Sequence, residues 1–196
     1  MEQILRTAVF DAPPVDRRAV LRYAQCAKGS ENVSVLLESA LEEALPCLSY
    51  RLCWREFACA LRGGRCELGP ISVDSRALET VLLGCGRVLV FAATVGLELD
   101  RLIAKYGTLS PARALMMQAI GAERIEALCD AFCAERAAVA PLTARFSPGY
   151  GDLPLAFQRD LFAVLDCPRS IGLTLNGSLS MSPSKSVTAV AGIRTK

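Results

Sequence analysis

The run from Ser110 to about Val139 constrains the architecture more than any other part of the chain. Ser110-Pro111 places a capping hydroxyl before a proline in the first turn, the pattern that starts a helix. No other proline follows before Pro141, and Gly121 is a tolerated weak point. A helix of that length needs a broad apolar partner. Arg87–Thr94 (RVLVFAAT) is the best candidate for a buried strand, short and nearly continuous in apolar residues.

Other elements arrange themselves around these two. Helical spacing over Asp16–Cys26 places Val20, Leu21 and Tyr23 among charges, and Gly29-Ser30 breaks it. Asn32 reads as the cap of a second helix that runs to Pro46. Ser49–Leu61 reads as a strand, Gly63-Gly64 as a hairpin turn, and Cys66–Leu68 as its return strand. Asp74 or Ser75 caps a helix to Leu83, and a further helix from Leu97 ends at Gly107. Pro154–Leu165 reads as a helix, and Leu173–Met181 as a hairpin closed by a two-residue Asn176-Gly177 turn. Lys185–Ile193 alternates like a last strand. The expected fold is a single α+β domain over residues 1–196, with an antiparallel or mixed sheet, hairpins and a long helix packed across it. Its N-terminal part, about 1–48, reads as helical and its remainder, about 49–196, as α+β.

The chain has 196 residues, 52% of them hydrophobic, enough for one sizeable core. A net charge of +2 is too balanced for a nucleic-acid or membrane-surface binder. The longest apolar run, Val88–Leu97, is too short to cross a bilayer. The N-terminal MEQILR lacks the order of a signal peptide, so a cytoplasmic location is expected. Histidine is absent, which removes Ser-His and Cys-His pairs and any His-based metal site within the chain. Nine cysteines without a C-x-x-C spacing read as small buried hydrophobes, not as a disulfide framework, zinc ribbon or iron–sulfur site.

Arg145–Gly151 (RFSPGYG) is the stretch that points to chemistry. An arginine fork suits a carboxylate. Pro148 stiffens the turn, Gly149 permits close approach of a ligand to the backbone, and Tyr150 offers a flat face with a hydroxyl. Such a loop can hold a small zwitterion. From the residues alone, Arg145 is either a ligand arginine or a solvated one, and Tyr150 either a site residue or a core aromatic. Asp130 lies on a helix also charged at Glu123, Glu126 and Glu135, so from the residues alone it reads as a plain solvated carboxylate.

Four segments in order resemble the activation domain of vitamin B12-dependent methionine synthase. They are FAATVGLELDRLI (91–103), ALCDAF (127–132), RFSPGYGDLP (145–154) and SMSPSKSVTAV (180–190), spread over a span of about half the chain. The resemblance implies binding of S-adenosylmethionine and docking over the cobalamin of a partner, a cobalamin-dependent methionine synthase. It implies a role in reductive methylation, in which an external electron donor such as flavodoxin reduces the oxidised cofactor and S-adenosylmethionine traps it as methylcobalamin. The domain's part is to position the methyl donor and exclude water. No flavin or nicotinamide motif is recognisable, so no redox step is expected of this chain alone.

By the same resemblance, Arg145 matches the arginine that binds the ligand carboxylate. Ser147 and Gly149 match positions whose backbone lies along the ligand, and Tyr150 a tyrosine near the corrin. Asp130 stands where the family has a glutamate, one carbon longer. Met181 and Pro183 match a segment that faces the cofactor. Residues 1–48 align poorly, the family's upstream aspartate has no assigned counterpart, and its late tyrosine region has none before Lys196. With no methyltransferase, folate or cobalamin-binding module in the sequence, a free-standing protein acting in trans is the expectation. Service to another corrinoid methyltransferase, and an autonomous S-adenosylmethionine-dependent methyltransferase, are the alternatives. Against the last, no Gly-rich loop follows a first strand in a βαβ unit.

Overall fold

A computed structural model describes residues 4–26 and 31–194, so the expected Gly29-Ser30 break lies outside the described residues. In chain order the elements are β1 (Arg6–Val9), α1 (Arg17–Tyr23), α2 (Glu31–Ala44), β2 (Arg51–Arg62), β3 (Arg65–Leu68), β4 (Ile71–Asp74) and α3 (Arg76–Leu82). There follow β5 (Cys85–Thr94), α4 (Glu98–Leu109), α5 (Pro111–Val139), α6 (Gln158–Leu165), α7 (Cys167–Ile171), β6 (Thr174–Leu175), β7 (Met181–Ser182) and β8 (Ser186–Arg194). The fold is a single α+β domain, and every strand pairing among the described residues is antiparallel.

The main sheet runs β4-β3-β2-β5-β8. Strand β2 is long enough to be shared. One edge pairs with β5 over Arg51–Ala58, while the other pairs with β1 over Arg51–Trp54 and with β3 over Cys59–Arg62. Alternation along β5 then sorts two cores. Leu89, Phe91 and Ala93 face α2, α4 and α5, and Val88, Val90 and Ala92 face α3, α6 and α7. Both faces are covered, which is why Val88–Thr94 is buried throughout and carries no polar alternation in sequence.

The middle of helix α5, Met116–Phe132, is mostly buried, between the sheet and α1, α2 and α4. Glu123 and Arg124 on it are 4% and 0% exposed. Arg124 Nε and Nη2 donate to Glu123 at 2.5 and 2.6 Å, and its two terminal nitrogens donate to the carbonyls of Pro13 and Pro14 at 2.5 and 2.7 Å. Glu123 also accepts from the Asp16 N–H at 3.0 Å. An ion pair removed from water persists only when its remaining hydrogen-bonding capacity is used, and here the Pro13–Asp16 backbone uses it. The segment is thereby strapped across the helix.

Several expectations are corrected. The N-terminal part is not wholly helical, because β1 adds a strand at the β2 edge. Its residues are mostly exposed, so it has no apolar alternation to reveal it. Asn32 lies inside α2, not at its cap. Strand β4 and helix α7 are additional elements. The β6–β7 hairpin closes through residues 176–180 and not through two residues. Asn176 Oδ1 accepts from the N–H groups of Ser178 and Ser180 at 3.0 and 2.9 Å, so a side chain supplies the turn that a tight backbone turn would otherwise make.

Gly121 proves to be a point of close approach. A Cβ there would lie 2.5 Å from Leu99 Cδ2 and 2.7 Å from Lys185 Cγ. The Lys185 stem therefore fills the groove that glycine leaves, and burial holds the ammonium below its ordinary pKa although Asp100 opposes this. Gly121→Val is expected to destabilise the protein by about 2 kcal/mol through overpacking, read from urea unfolding. A neutral result would mean that Leu99 and Lys185 yield freely.

Candidate functional site

The segment that leaves α5 crosses from one face of the sheet to the other around the free edge of β8. Thr143 N–H donates to the Gly192 carbonyl at 2.9 Å, and Phe146 and Val190 exchange N–H···O bonds of 2.8 and 2.9 Å. After Phe146 the chain peels away. Main-chain groups on an antiparallel strand alternate in direction, so those of Thr188 and Ser186 point to the same edge as those of Val190. Among the described residues no strand covers them on that side. A cleft of about 860 Å³ opens there, within the range of roughly 300–1,000 Å³ usual for ligand pockets.

One wall carries charge. Arg145 donates to Glu126 and to Asp130, carboxylates one turn apart on α5. Burial works against the guanidinium charge, but the bond to Asp130 and the nearby Glu126 outweigh it and hold the pKa above its ordinary value. The same arginine does not activate a thiol. Burial raises both Cys129 and Cys133 despite its proximity. The opposite wall comes from the turn before α6, the start of α6 and the β6–β7 hairpin, with Leu155, Gln158, Leu179 and Met181.

The loop itself is tightly held. Gly149 has φ +93°, a left-handed conformation that favours glycine, and its N–H donates to the Leu153 carbonyl at 2.9 Å. Pro148 is buried while Tyr150 is 67% exposed at the mouth, with its ring centroid 6.4 Å from that of Phe146. Asp152 pins the far end to α3, accepting from the Ser75 hydroxyl at 2.5 Å and from the Arg76 and Ala77 amides at 2.8 and 3.1 Å.

Those bonds, the Ser75 hydroxyl first, hold the Asp152 carboxyl below its ordinary pKa. A lowered folded pKa means that the anchor acts fully above the unfolded value of about 3.9 and is lost as pH falls through the folded one. Asp152→Asn is expected to remove this acid-side dependence and to speed amide exchange at Gly149 and Leu153. Unchanged exchange at neutral pH would show that the loop is held without this carboxylate.

Of the residues singled out in sequence, Arg145, Ser147, Tyr150 and Met181 line the cleft. Gly149 shapes the turn. Asp130 lies beside the cleft as an exposed partner of Arg145. Pro183 is buried and lines a separate depression of about 310 Å³ with Arg51, Thr94 and Gly96. Glu126, Gln158, Leu179 and Thr188 are lining residues that the sequence did not single out. Only Glu126 carries a usable signal, its spacing of one turn from Asp130. Among the described residues no helix is long and apolar enough to cross a membrane, and no group of three or more acidic or cysteine side chains could hold a metal ion.

No protein-family model and no curated protein matches the sequence. By structure, the chain is similar to the MetH reactivation domain, whose crystal structure is bound to AdoHcy, with a TM-score of 0.70. The two share 15% identity over 96% of this chain and 78% of that one. The fold is that of the MetH reactivation domain. At that identity the likeness speaks for the fold alone, and the chemistry rests on the cleft.

Proposed function

We propose that this protein binds S-adenosylmethionine in the cleft at the β8 edge and presents its methyl group to the cobalamin of a methionine synthase, restoring a synthase inactivated by oxidation. The observation that carries this reading is the charge arrangement of the Arg145 wall. Arg145 with Glu126 and Asp130 sums to one negative charge. S-adenosylmethionine bears a carboxylate, an ammonium and a sulfonium, one net positive charge. The signs are complementary, as an encounter between charged partners requires.

Each group has a role in this reading. A guanidinium has five N–H donors, so Arg145 can serve the ligand carboxylate while its acidic partners fix its plane. Glu126 and Asp130 favour the ammonium and sulfonium. The outward N–H and C=O groups of Thr188 and Ser186 offer hydrogen bonds along the ligand. Exposed Tyr150 and Leu155 stand at the mouth, where the partner's corrin ring would close the site and exclude water. Cobalamin, carried by the partner, would supply the reduced metal that accepts the methyl group, and an external donor such as flavodoxin would supply the electron. This chain's contribution is placement.

The test mixes the protein with an oxidised cobalamin-dependent methionine synthase lacking its own reactivation domain, reduced flavodoxin, and methyl-labelled S-adenosylmethionine. Label is expected on cobalamin only when all components are present. Label independent of this protein, or none despite bound S-adenosylmethionine, would overturn the reading.

A further inference from the structure

Gln158 opens α6 and is 4% exposed, yet it lines the cleft. Its Nε2 donates to the Leu179 carbonyl at 3.2 Å. A carbonyl can only accept, so this bond fixes which end of the amide is nitrogen. Oε1 has no hydrogen-bond partner among the described residues, and it is not among the sealed polar atoms without one. Because Gln158 lines the cleft, its open acceptor is assigned to that side. Around it stand Leu155, Leu179 and Met181, while the charges lie across the β8 edge on α5. One half of the cleft thus suits a zwitterion, and the other suits a flat heterocycle with one polar edge.

We propose that Gln158 selects the base of the bound nucleoside, its fixed Oε1 accepting a hydrogen bond from an exocyclic 6-amino group. This deepens the reading above and rests on it. A 6-amino purine presents a donor to Oε1, whereas a 6-oxo purine presents a second acceptor. A buried acceptor that faces an acceptor loses its water and gains nothing, so discrimination comes from the mismatch as well as from the match. The Leu179 carbonyl prevents the amide from turning to suit the wrong base. The Asn176 side chain in turn holds that loop.

The experiment measures binding of S-adenosylhomocysteine and S-inosylhomocysteine to the full chain by calorimetry, for wild type, Gln158→Leu and Gln158→Met. Wild type is expected to prefer the adenine compound by about ten- to a hundredfold. Both variants are expected to bring the ratio close to one, and thermal unfolding checks that they fold. Methionine keeps the length and packing of glutamine should leucine disturb the helix. A loosened hairpin alone would weaken both ligands together and leave the ratio unchanged. Equal binding of the two compounds by wild type, or a preference that survives both substitutions, overturns the assignment of Gln158 and leaves the cleft reading intact. Binding of neither compound overturns the cleft reading and this assignment with it.

Discussion

Arg145→Ala is expected to weaken S-adenosylmethionine binding by about 1.5–3 kcal/mol, roughly ten- to 150-fold, measured by calorimetry. Two losses combine. The ligand carboxylate forfeits a charge-assisted bond, and Glu126 and Asp130 are left as neighbouring carboxylates without the guanidinium between them. Arg145→Lys separates these contributions, because lysine keeps the charge but has no planar fork to serve two acids and a ligand together. It is expected to recover part of the affinity. The backbone path of the loop does not depend on this side chain, since Phe146 is bonded to Val190 and Asp152 to α3. The variant should therefore fold. Unchanged affinity in a folded Arg145→Ala protein would remove this residue from the site.

The second large effect is on stability. Arg124→Met is expected to cost about 3–5 kcal/mol, because Glu123 would remain buried without a counter-charge and the Pro13 and Pro14 carbonyls would lose their donors. The double substitution Glu123→Leu with Arg124→Met is expected to lose less than the single one, since it removes the orphaned charge. Trp54, the chain's one tryptophan, reports this region directly. Its ring centroid lies 5.2 Å from that of Phe132, which in turn meets Phe10, just before the strap, at 6.1 Å. Urea titrations followed by its fluorescence should show the shift in midpoint. Wild-type stability in Arg124→Met would mean that the strap is held by apolar contact alone.

The Arg124 network also marks the limit of what the sequence discloses. Helix α5 is legible at both ends, from Ser110-Pro111 at its start and Pro141 after it, and β5 is legible from its unbroken apolar run. What α5 buries is not legible. Glu123-Arg124 looks like any solvated pair, and only the proline carbonyls brought back over the helix make its burial affordable. β1 was hidden for the opposite reason: an edge strand with exposed residues has no periodicity to show. At the site, the loop announces itself through Arg145, Pro148 and Gly149, residues with strong local geometry. Its partners across space do not. Glu126 precedes Arg145 by 19 positions, and Gln158 bonds to Leu179 of the hairpin loop 21 positions later. Such pairings depend on where the sheet edge lies, a tertiary fact that local propensity does not encode.

The loop, the β8 edge and α6 are separate in sequence and meet at one cleft, and the central claim is that a methyl-donating nucleoside occupies it. A crystal structure of the protein with AdoHcy tests this most directly. The ligand is expected along the open edge at Ser186–Thr188, its amino-acid end at Arg145 and its base beside Gln158. Ordered AdoHcy elsewhere on the surface, or a bare cleft in crystals grown at saturating ligand, would contradict it.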